Sequence, residues 1–128
     1  MAVALAIVGT PVAADATTNN DFETEISWED EPPLSVEHDE KFWVSTSGFV
    51  DGGETCIYEE RDGSDNLLDC RDVGDMTSFE HGIYIDAESD LEAGPGEHAP
   101  LYAEVEEDGW FGGSDSTITI STYVEEDD

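Results

Sequence analysis

An all-β fold, an antiparallel sandwich of about seven or eight short strands, is what this sequence predicts. Three observations carry the prediction. After residue 20 the apolar residues recur with period two, the mark of half-buried strands. Breakers separate the runs: Pro32-Pro33, Asp51-Gly52-Gly53, Asp62-Gly63, Gly94-Pro95-Gly96 and Gly112-Gly113, each of them a turn signal. No stretch carries a helical stripe over three turns. Short strands with regular turns fit an immunoglobulin-like or a jelly-roll arrangement.

The strands follow in order. Phe22, Ile26 and Trp28 share one face of the first. The second spans residues 41–50, with Phe42 and Val44 alternating against Ser45 and Ser47. Trp28 and Trp43 fall inside these patterns and read as core residues. Further strands are expected over 55–60, 66–73, 78–86, 101–107 and 116–124. The last is the clearest. Ile118, Ile120, Thr122 and Val124 face one way and Thr117, Thr119, Ser121 and Tyr123 the other, and β-branched residues suit a pleated surface.

Composition divides the chain near residue 16. Residues 1–16 (MAVALAIVGTPVAADA) hold one charge, whereas the rest is acidic, so residues 17–128 read as a single sandwich domain, a usual domain size. The first segment has two readings. It resembles the apolar core of a secretory signal, with small residues at Val12-Ala13-Ala14 or Ala14-Asp15-Ala16, although a basic start is missing. Alternatively it is a hydrophobic arm, with Val3, Leu5 and Ile7 buried against a neighbouring subunit. It is too short for a membrane span, which takes about 20 apolar residues.

Cys56 and Cys70 flank Asp62-Gly63-Ser64, with Gly63 midway between them. A hairpin turning there through a three-residue loop sets Cys56 opposite Cys70, Tyr58 opposite Leu68 and Glu60 opposite Asn66. Directly opposed residues lie within reach of a disulfide. The bridge would pin the register of a polar hairpin and implies an oxidising, extracellular location. The competing reading is two reduced cysteines; paired zinc-type spacing is lacking.

Charge bounds the partners. Thirty-four acidic residues against Lys41, Arg61 and Arg71 give a formal charge of −31 over 128 residues. Self-repulsion of that size opposes compaction, and molar salt, with a Debye length of about 3 Å, makes it local. The carboxylates are interleaved with aromatic and β-branched residues, as on a solvated face and unlike a disordered acidic tail. In this respect the chain resembles the acidic proteins of salt-loving archaea, and with its strands a small β-sandwich protein of a haloarchaeal-type virion or cell surface. Nucleic acid is excluded as a direct partner, because phosphate binding needs a basic surface.

No catalytic constellation stands out. His38, His81 and His98 are scattered, and the chain has no nucleophile elbow, zinc-protease motif or phosphate loop. Asp86, Glu88, Asp90 and Glu92 alternate along one segment and offer the oxygen ligands calcium takes. The segment departs from the EF-hand pattern at Leu91, and the alternative is an ordinary solvated acidic loop with diffuse salt cations. Trp110 and Phe111 sit at a glycine-rich turn. They read either as interface anchors or as a cap on the end of the core.

The resulting expectation is a non-enzymatic assembly protein without a cofactor: a small subunit or decoration protein of a halophile virus capsid or tail, or of a surface filament. It would interlock with protein subunits as an oligomer, outside the cell. The alternative is a secreted or cell-surface immunoglobulin-like binding module. In molar NaCl the chain is expected to unfold cooperatively on heating, followed by far-UV circular dichroism. In millimolar buffer free of divalent ions the β signal is expected to collapse. Cooperative folding retained there overturns the salt argument.

Overall fold

Alternation decides which side of each strand is buried, and it works as the sequence implies. The structure is a computed structural model describing residues 24–74, 77–109 and 113–126. Among them nine strands form two packed sheets: β1 (Glu25–Asp30), β2 (Ser35–Glu37), β3 (Lys41–Phe49), β4 (Gly53–Glu59), β5 (Asn66–Asp72), β6 (Ser78–Asp86), β7 (His98–Glu107), β8 (Ser114–Ser116) and β9 (Ile120–Glu125). No helix among the described residues is long and apolar enough to cross a membrane.

The smaller sheet runs β1-β3-β6 and the larger β2-β9-β7-β4-β5, with β8 also on β7. Every pair is antiparallel except β2–β9, which is parallel. This is the immunoglobulin-like order. The larger sheet is built on G-F-C neighbours (β9, β7, β4) extended by a C′ strand (β5). The opening strand is divided between the sheets, β1 in one and β2 in the other. Pro32 and Pro33 mark the crossing, where the backbone lacks donors for a ladder. The Thr122 hydroxyl donates to the Pro33 carbonyl at 2.7 Å and ties the crossing to β9. A three-residue strand such as β2 is too short to show a period of its own, which is why the sequence did not reveal it.

The core lies between the sheets. Ile26, Phe42, Val44, Phe79 and Ile85 come from the smaller one; Ile57, Leu101, Ala103, Val105 and Val124 come from the larger. Each fully buried valine, leucine, isoleucine or phenylalanine side chain contributes roughly 1.5–3 kcal/mol. Both open flanks are stitched. On one, the Ile26 amide of β1 donates to Asp115 Oδ2 at 3.0 Å and the Trp28 indole N–H to the Ile118 carbonyl at 2.9 Å. On the other, His81 Nε2 of β6 lies 2.8 Å from Asp69 Oδ2 of β5, and Arg71 Nη1 donates to the Glu80 carbonyl.

Two details depart from the expected register. The final strand is divided into β8 and β9, and Ile118 points outward, 70% exposed. Thr117 is the cause. Its amide donates to the Ala103 carbonyl, and its hydroxyl accepts from the Ala103 amide at 2.9 Å, replacing a ladder bond by a side-chain one. In the β4–β5 hairpin Cys56 stands directly opposite Cys70, but then the register shifts and pairs Tyr58 with Leu67 and Glu59 with Asn66. The connection is therefore residues 60–65 and not three residues, with Gly63 at φ +87°, a left-handed conformation suited to glycine.

The cysteines form a disulfide, with Cα atoms 4.1 Å apart. A loop of this length yields about 3 kcal/mol in the chain-entropy picture. Replacing both cysteines by serine is expected to lower stability by about that amount in urea unfolding at molar salt. An unchanged midpoint, or free thiols in mass spectra of the wild type, contradicts the assignment.

Candidate functional site

Inward placement of Phe42 and Val44 turns Lys41, Trp43, Ser45, Ser47 and Phe49 to the outer face of the smaller sheet. Trp43 is consequently not the core residue that its strand pattern suggested. It is 42% exposed, and Tyr84, directly opposite on β6, is 69% exposed. Their ring centroids are 5.0 Å apart with the planes tilted by 59°, the edge-biased geometry aromatic pairs prefer. Trp28, by contrast, packs against the core as expected.

Three local devices fix this pair. The first is Gly82: a Cβ there would stand 2.3 Å from Trp43 Cζ2, so the indole lies where only glycine leaves room. The second is a bulge in β1 between Trp28 and Asp30. It breaks the alternation, so Asp30 stands against Ser45 on the outer face although Trp28, two residues earlier, points inward. The third is a pair of bonds on one oxygen. Asp30 Oδ2 accepts from Trp43 Nε1 and from Ser45 Oγ, both at 2.8 Å. These bonds, the indole's foremost, hold the Asp30 carboxyl below the usual carboxylate range. An interior glycine in a strand was the available sequence signal for such a close approach.

Along the same face runs an open groove lined by Glu25, Ser27, Glu29, Phe49 and Glu80. The outer face of the larger sheet is different. Tyr58 and Tyr102 stack there with centroids 5.2 Å apart. Desolvation first, then bonding to Asp65, pushes the Tyr102 phenol well above its ordinary range; desolvation and nearby glutamates raise Tyr58 as well. Glu54 sits directly opposite Glu106, a like-charge pair that is unfavourable unless screened.

Glu59 was not singled out in the sequence, although it shares the inward parity of Thr55 and Ile57. It is the one acidic residue among those described that is buried. Oε1 accepts from the Glu92 amide at 2.7 Å and Asn66 Nδ2 at 2.9 Å; Oε2 accepts from the Ala93 amide at 2.9 Å and Arg61 Nη1 at 3.0 Å. The carboxylate thus staples β4 to the segment after β6. Its role is structural.

Asp86, at the end of β6, and Glu88, Asp90 and Glu92 in that segment are the four residues proposed as cation ligands. Asp86 Oδ1 accepts from the Glu88 and Ser89 amides at 3.0 and 3.3 Å, and Asp90 Oδ2 from the Asp86 amide at 2.8 Å. The Glu88 amide bond is the main cause holding the Asp86 carboxyl below its usual range. Glu88 and Glu92 are exposed, and Glu92 enters the Glu59 network through its backbone. The structure therefore uses Asp86 and Asp90 to close a turn and does not gather the four around one point. The grouping with metal-ligand spacing among the described residues is Glu54, Cys56 and Cys70, whose sulfurs are joined to each other. The proposed interface residues Trp110, Phe111, Val3, Leu5 and Ile7 lie outside the described residues.

No protein-family model matches this chain, and no curated protein matches it in sequence.

Glu59→Ala removes the acceptor of four donors at once, and a loss of roughly 3–5 kcal/mol in urea unfolding is expected, as for a broken buried pair. Glu59→Gln keeps the shape but turns an NH2 group toward backbone donors, so its loss should fall between wild type and alanine. A Glu59→Ala midpoint equal to wild type contradicts the staple.

Proposed function

We propose that the chain is a non-enzymatic extracellular module that works in brine by holding another protein. The observation that carries this reading is the Trp43–Tyr84 pair, which is rigidly placed yet left facing solvent. Exposed, preorganised aromatic side chains are the usual anchors of protein contacts. The rest of the architecture supports it. An immunoglobulin-like order is common in surface modules, as an analogy at the level of fold. The cystine suits an oxidising compartment. The outward carboxylates keep such a protein dispersed where salt screens them.

Two settings are compatible with this role. In one the chain decorates a virus particle or surface filament; in the other it is a secreted or cell-surface binding module. A homo-oligomer in molar NaCl that dissociates on deletion of residues 1–14 favours the first, and a monomer indifferent to the deletion favours the second. For the common reading, fractionation of the producing cells or particles under thiol-blocking conditions is the test. The expected result is the protein in the surface, secreted or particle fraction with its cysteines joined. A cytosolic pool with free thiols overturns it.

A further inference from the structure

We infer that the outer face of the smaller sheet is a binding site for an arginine side chain of a different protein, with the guanidinium against the Trp43 and Tyr84 rings and paired to Asp30. This rests on the reading as a protein-binding module and names the chemistry of the partner.

The face is built for a cation. Aromatic ring faces are electron-rich and attract positive groups, and a carboxylate stands beside these two rings. The bonds from Trp43 and Ser45 both fall on Oδ2 of Asp30, so the second oxygen lies outside that pair of contacts. Those bonds also favour the ionised form of Asp30. Glu25, Glu29 and Glu80 line the adjoining groove together with Arg71, three carboxylates to one guanidinium, so its net charge has the same sign. Of the two cations near this face, Arg71 is bonded to the Glu80 carbonyl and Lys41 lies opposite Asp86 at the end of the sheet.

Arginine fits better than lysine for reasons of range and hydration. With molar salt confining electrostatics to about 3 Å, steering is lost and contact terms decide. A guanidinium is planar, weakly hydrated and forked, so it can stack on an indole and bond a carboxylate together; an ammonium holds its water more tightly. A second copy of the chain is a poor source. Its two arginines are already engaged, Arg61 with Glu59 and Arg71 with the Glu80 carbonyl, and each copy carries −31.

The test uses the full chain, uniformly labelled with 15N, in molar NaCl, and follows the indole N–H resonance that disappears in Trp43→Leu. Capped pentapeptides Gly-Gly-Xaa-Gly-Gly are titrated with Xaa as arginine, lysine or citrulline, the last being close to arginine in shape but neutral. Saturable shifts with the arginine peptide are expected at millimolar concentrations. Lysine should bind several-fold more weakly, and citrulline should leave the resonance in place. Asp30→Asn is expected to weaken the arginine peptide by about two- to fivefold, and Tyr84→Leu, a second exposed position, should also weaken it. Thermal unfolding establishes that each variant is folded. No shift with arginine, an equal response to citrulline, or unchanged affinity in folded Asp30→Asn overturns the site, as does a neutral oligosaccharide that moves the resonance further than arginine. Failure of this titration with a surface-located protein removes the arginine site alone. Binding by a protein that proves cytosolic removes the extracellular module and leaves the site.

Discussion

A carboxylate can turn inward in this sandwich only where donors surround it, and the rest of the structure is arranged around that constraint. Glu59 satisfies it with four donors drawn from three segments. The other acidic side chains among the described residues keep contact with solvent. The inward faces are left to valine, isoleucine, alanine and a few threonines whose hydroxyls find partners: Thr46 donates to the His81 carbonyl, Thr55 to that of Glu104 and Thr122 to that of Pro33. The outward faces then carry opposed acids such as Glu54 and Glu106. Those pairs raise the energy of the fold until counterions screen them.

Three breaks in strand alternation do the specialised placement. The bulge before Asp30 carries that carboxylate to the outer face beside Trp43. The register shift after Ile57 brings Asn66 opposite Glu59, where its amide group bonds both the carboxylate and the Asp90 carbonyl. The kink at Thr117 lets one side chain stand in for a rung of the ladder and turns Ile118 outward. In each case one residue of irregularity re-aims one side chain, as bulges do elsewhere.

This explains what was legible in the sequence. Period-two runs and turn residues located the seven longer elements, because alternation is a property of the whole strand and survives local noise. The Cys56–Cys70 pairing was legible because the two cysteines lie symmetrically about Gly63; the register next to the turn is offset by one residue, and the shift between Ile57 and Tyr58 brings the cysteines opposite each other. The shift itself was not, since one inserted residue has no compositional signature. For the same reason Trp43 was misplaced: its neighbours Phe42 and Val44 compete for the inward side, and parity allows only one set to win. Glu59 shows a converse failure. In a chain so rich in acid, one more glutamate draws no notice, although its parity with Ile57 places it inside.

The exposed aromatic pair depends on bonds made elsewhere in the sandwich. Tyr84 and Gly82 ride on β6, and the residue between Thr46 and β5 on that strand is His81, buried and held to Asp69. Its other ring nitrogen is buried and has no hydrogen-bond partner among the described residues. Asp69 in turn precedes Cys70, which is fixed covalently to β4. The crosslink therefore steadies β5 on the outer side of the larger sheet, β5 steadies β6 through His81 and Arg71, and β6 presents the ring and the gap under Trp43. Rigidity of this kind would serve the proposed contact: where salt removes long-range attraction, a partner that cannot be steered needs a surface already in its binding shape, so that little ordering entropy remains to be lost on contact.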